Sequence, residues 1–135
     1  MSATSSAESY DSMEENLESF LYQHASYRSS FVNDLFNWIL DRSKQQQALV
    51  SSLLARLVRS GVLSAEEIVT GLSTLLQNLE DLVMDVPQAP SLLGLRVREL
   101  STQLSIISDD QVQTLLRHCP TRCLEKFRVA INSTQ

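Results

Sequence analysis

Glycine and proline are scarce in this sequence, with three of each among 135 residues. Sandwiches and hairpin-rich barrels reverse direction often, and these two residues are their usual punctuation. Their scarcity argues against an all-β fold and against a nucleotide site built on a Gly-rich loop. Cysteine is nearly absent too. Cys119 and Cys123 are the only two, too few for a disulfide scaffold. No apolar run approaches the roughly 18–20 residues needed to span a bilayer. The segment Met1–Tyr10 has neither a basic region nor an apolar stretch, so it does not read as a signal peptide. Positive charge is in deficit, with 11 Lys and Arg against 16 Asp and Glu, a net charge of -5 and a pI near 4.9. A surface of that sign disfavours non-specific nucleic-acid binding. These absences lead us to expect a reduced, soluble, cytoplasmic chain with no membrane contact. Its 15.2 kDa is the size of one domain.

What is present is helical periodicity. Residues 1–12 are Ser, Ala, Thr and acids around a single Tyr10, and read as a disordered Ser-rich tail. From Met13, apolar residues recur at Leu17, Phe20 and Leu21, which predicts a helix to about His24. A second amphipathic helix carries Phe31, Val32, Leu35, Phe36, Ile39 and Leu40, with Trp38 beside the stripe. A third uses Leu49, Val50, Leu53, Leu54, Leu57 and Val58 and ends at Gly61, placed as a left-handed terminator. Ser64-Ala65-Glu66-Glu67 is a capping box opening a fourth helix that runs to about Met84, before Pro87 and Pro90. Ser91 is read as the cap of a fifth helix, whose mixed register implies burial on more than one side. Ser108-Asp109-Asp110-Gln111 is a second capping box, and Pro120 separates the sixth helix from a seventh, Thr121–Ile131. The expectation is an all-α domain over residues 13–131 with short links, antiparallel neighbours and a flexible end at 132–135.

The stretch LLARLVRSGVLSAEEIVTGLSTLLQNLEDLVMDVPQAPSLLG, Leu53 to Gly94, resembles the core of the MA-three domain. That domain occurs in the cell-death translation inhibitor and in the scaffold initiation factor 4G. The resemblance covers about a third of the chain, and its specific part is Leu79-Glu80-Asp81-Leu82-Val83-Met84-Asp85-Val86-Pro87. Phe31 to Leu49 extends it more weakly. The sequence departs from the family in front of Phe31, where one helix stands in place of a helical pair. The resemblance implies stacked helical pairs, a small HEAT-like solenoid. It also implies a non-catalytic module of translation that docks on a DEAD-box RNA helicase, initiation factor 4A. The positions matching the family's contact block are Asp81, Asp85 and Pro87.

The residues by themselves are compatible with that reading. Asp81 and Asp85 are four apart, share a helix face and repel by a few tenths of a kcal/mol. Read on a helix ending near Met84, both lie where the helix dipole favours cations. Ser64–Ser91 contains five acids and no Lys or Arg. A basic partner would relieve these penalties. A solvated helix end, with Asp85 bonded into the Asp-Val-Pro turn, accounts for the same residues.

Other constellations carry less. His118, Cys119 and Cys123 are three possible metal ligands where zinc needs about four, so the cysteines read as small apolar packing residues and no metal or other cofactor is expected. Glu66-Glu67 and Asp109-Asp110 sit in first helical turns, where the dipole explains them better than acid–base catalysis does. No nucleophile elbow is present. We therefore expect no enzyme and no small-molecule substrate. Arg117, Arg122, Lys126 and Arg128 cluster in the last two helices. They read as helix-end compensation, with RNA binding as an alternative that the shortage of exposed aromatics weakens. A helical scaffold for an unrelated protein partner is the other alternative.

Overall fold

A computed structural model describes residues 16–132. Among these the chain is helical, with no strand. Helix α1 spans 16–23, followed by a short 3-10 turn at Ala25–Tyr27. Then come α2 (Arg28–Ile39), α3 (Lys44–Arg59), α4 (Ala65–Gln77), α5 (Leu79–Asp85), α6 (Ala89–Arg98), α7 (Asp109–His118) and α8 (Thr121–Ile131). A π turn, Glu99–Gln103, extends α6. The expected tail at 1–12 and the residues at 133–135 lie outside the described residues.

Local chemistry sets most boundaries. Ser64 and Ser108 form complete capping boxes with Glu67 and Gln111. Gly61 has φ 82°, and the amides of Gly61 and Val62 close on the carbonyls of Val58 and Leu57, the double bond that ends a helix at a left-handed residue. Three boundaries differ from expectation. Helix α3 begins at Lys44 because Ser43 and Gln46 make a third capping box. Its buried face is rotated from the expected stripe: Ser51 and Ala55 are buried and Leu49 is exposed. Helix α6 begins at Ala89 with Pro90 in its first turn, where the missing N–H costs nothing.

The third difference matters most. The long fourth helix is broken at Asn78, giving α4 and α5. Thr70 and Thr74 hydroxyls and the Asn78 amide each donate to the carbonyl four residues earlier. Such back-bonding along one face bends a helix. At Asn78 the backbone leaves helical geometry (φ -100°, ψ 11°). Leu79, fully buried, restarts the chain as α5 in a new direction.

The most extensive packing joins alternate helices, α2 with α4 and α6 with α8, as in stacked layers. Each of these contacts rests on a glycine. A Cβ at Gly71 would lie 2.5 Å from the Ser29 carbonyl oxygen and 2.6 Å from Val32 Cβ. A Cβ at Gly94 would lie 2.6 Å from both Ala130 Cβ and the Phe127 carbonyl oxygen. One continuous core runs from Leu21 through Phe36, Leu54, Leu72 and Leu93 to Phe127. Helix α6 touches α3, α5 and α8, which explains its mixed register. Within this layer Arg96 is buried and forms an ion pair with Glu99, its Nε 3.2 Å from Oε1 without a hydrogen bond; Glu99 Oε1 accepts from Ser51 Oγ at 2.6 Å.

Candidate partner-binding surface

The break at Asn78 repositions the acidic block. Asp81 falls in the first turn of α5, where the helix dipole favours it, and only Asp85 stands at a C-terminal end. The expected dipole penalty on Asp81 is therefore absent. Both side chains remain exposed and four residues apart. Among the described residues no ion pair reaches either one. Neighbouring acids do find cations: Glu67 lies 3.9 Å from Arg28, and Glu80 3.8 Å from Arg122.

Asp85 is not alone. It lines a surface groove of about 480 Å³ between the C-terminal ends of α2 and α5. Asp34, Trp38 and Asp41 of α2 and the turn after it form the opposite wall, and Leu82 and Val86 form the floor near Asp85. Asp34 and Trp38 are spaced i, i+4 on one face of α2, and the turn after the helix brings Asp41 to the same groove. The groove's carboxylates differ in their surroundings. Asp34 accepts the Tyr27 hydroxyl at 2.8 Å, and this bond, then burial and the Asp34 charge, raise the Tyr27 pKa. Asp41 lies 3.6 Å from Arg42, whose guanidinium sits 4.6 Å from the Trp38 ring centroid. Asp85 has neither kind of partner. Such a groove offers a cation the Asp85 carboxylate with free lone pairs and a partly apolar floor, while Arg42 already covers the Trp38 ring.

The sequence-derived residues separate here. Asp85 lines the groove. Pro87 lies on the other side of α5, in a hollow shared with Pro90, Arg122 and Lys126. Asp81 lines neither. The sequence places Trp38 beside the apolar stripe and Asp34 and Asp41 on the polar side, but marks none of them as a site residue; the i, i+4 pair Asp34 and Trp38 on α2 is a usable signal.

The cysteines behave as packing residues. Both are buried with free thiols. Burial, reinforced by Cys123, pushes the Cys119 thiol up to about 12, and burial also raises Cys123. His118 is turned away, its Nδ1 lying 3.2 Å from Gln77 Nε2 on α4. No described helix is long and apolar enough to cross a membrane.

Comparison with known proteins follows the same lines. Eukaryotic translation initiation factor 4G from Cucumis melo is 33% identical over 95 residues, which cover 69% of this chain and 5% of that protein. The chain thus spans a small fraction of the relative's length. No solved structure matches it. The MA3 domain profile matches residues 1–104, from the first residue through the π turn that follows α6. Since that match covers well over half of an all-helical chain, this protein belongs to the MA3 domain family.

Proposed function

We propose that this chain is a non-catalytic protein-interaction module of the translation machinery, and that its acidic α5 block docks a DEAD-box RNA helicase of the initiation factor 4A kind. Membership of the MA3 family and likeness to a translation initiation factor support the setting. The observation that carries the site is the exposure of Asp81 and Asp85 without an internal counter-charge, beside a groove lined by Asp34 and Asp41. Folding leaves these carboxylates hydrated and ready to meet Arg or Lys side chains. Pro87 lies outside the groove and acts by shaping the turn that ends α5. The partner's cations would bridge the α5 block and the carboxylates of the groove, whose own cation, Arg42, already sits over the Trp38 ring.

The test is a binding titration of purified helicase against wild type and Asp81→Lys/Asp85→Lys. Desolvated charge contacts of this kind contribute about 2 kcal/mol or more each. The reversed variant should bind at least tenfold more weakly while keeping its helical circular dichroism. Equal affinity for both proteins would refute the assignment.

A further inference from the structure

The outer face of α8 carries a second surface of different character. Arg122, Lys126 and Val129 are spaced i, i+4, i+7 and all exposed, forming a stripe beside the buried Cys123, Phe127 and Ala130. This stripe borders two depressions. The hollow beside Pro87 and Pro90 encloses about 180 Å³ and has Arg122 and Lys126 at its rim. An apolar groove of about 340 Å³ runs between α6 and α8, with Leu95 and Val129 in its walls. Lys126 lines both, so one ammonium stands between a basic hollow and an apolar trough.

The charges on this face are unevenly satisfied. Glu125, which also lines the apolar groove, lies 3.6 Å from Arg128 in a pair that is itself exposed and weak in water. Arg122 meets Glu80 at 3.8 Å with its side chain 89% exposed, a pair that contributes little in water. Lys126 takes part in no ion pair among the described residues. The apolar half is open as well, with Val129 60% and Leu95 39% exposed. The close backbone approach at Gly94 fixes α8 against α6, so the walls of the trough are set before any ligand arrives, while the Arg122 and Lys126 side chains stay exposed at its edge. The stripe lies beyond residue 104, where the MA3 match ends, and on a chain of net charge -5.

We infer that the α6–α8 face docks an acidic amphipathic helix of a protein partner, with a carboxylate against Arg122 and Lys126 and an apolar side chain over Leu95 and Val129. Lys126 to Val129 spans about 4.5 Å of helix rise, so a partner helix bearing Glu and Leu three or four residues apart matches the spacing. Nucleic acid fits less well. It would bring phosphates to a surface whose other half is aliphatic, and the stripe has no aromatic ring for a base to stack on.

This surface is independent of Asp81 and Asp85, and the experiment keeps the two apart. The full chain, labelled with 15N, is titrated with a 14-residue helical peptide in which Glu precedes Leu by four positions. A peptide with Lys in place of Glu and a 12-nucleotide oligouridine serve as comparisons. The Glu–Leu peptide should shift amides of Leu95 and residues 122–130. Arg122→Glu/Lys126→Glu and Val129→Asp should each weaken it at least tenfold, and Asp81→Lys/Asp85→Lys should leave it unchanged. These are exposed positions, so circular dichroism should report an intact fold in every variant. Binding unmoved by the α8 variants would overturn the inference. So would oligouridine binding on the stripe that survives Val129→Asp. Self-association of the chain that the same variants abolish would assign the face to a second copy and also overturn it.

Discussion

Replacing Gly71 by alanine sets two effects of opposite sign against each other. Alanine is favoured over glycine inside a helix by about 1 kcal/mol, so propensity alone predicts a more stable protein. Gly71 is within α4, and its added methyl would meet the Ser29 carbonyl oxygen at 2.5 Å and Val32 at 2.6 and 2.8 Å. Ordinary contact between carbons is about 3.5–4.0 Å, so α2 must retreat by about 1 Å. The oxygen belongs to the backbone and cannot rotate aside. A gap of that size forfeits about a quarter to a half of each dispersion contact it touches. Val32, Phe36 and Ile39 of α2 are fully buried, and all lie along the separated face. Overpacking costs about 1–3 kcal/mol, and a rigid obstacle places this site at about 3. Net destabilisation should be about 2 kcal/mol after the propensity gain. For a chain of this size that lowers Tm by about 7 °C. Thermal and urea unfolding followed by circular dichroism would read it. A raised Tm for Gly71→Ala would refute the close-approach argument.

Two further outcomes follow from the interior. Glu99→Ala should destabilise the fold by about 3 kcal/mol in urea, because it strands the buried Arg96 cation, whereas Ser51→Ala/Arg96→Met/Glu99→Met, which leaves no polar partner behind, should lie near wild type. The Cys119 pKa, raised from 9.0 to about 12, ties stability to the protonated thiol. That contribution is fully present below pH 9 and is lost as pH rises through 12, so stability should fall over this window, less steeply in Cys119→Ala. At pH 8 the native thiol should resist a disulfide reagent that reacts readily once urea unfolds the chain.

Much of the local architecture was legible in the sequence. The capping boxes at Ser64 and Ser108, the left-handed end at Gly61 and the stop at Pro120 all use bonds between residues within a few positions of each other. Such chemistry is complete within a short peptide, so a sequence pattern specifies it. The break at Asn78 was missed. Its apolar stripe continues from Leu76 through Leu79 to Leu82, and the signal lay on the polar side, in Thr70, Thr74 and Asn78. The rotated face of α3 was missed for a related reason. Burial of Ser51 depends on Glu99, 48 residues away.

The sequence by itself determined an acidic, all-helical chain whose few turn-formers crowd between Gly61 and Gly94, around an acidic helix. Tertiary structure decided what that helix faces. Separate contacts at Gly71 and Gly94 lock α2 to α4 and α6 to α8. The fold places Asp85 opposite Asp34 and Asp41, and Pro87 beside Arg122 and Lys126. Side chains 35 to 51 positions apart share no local bond, so only the packing of whole helices brings them together.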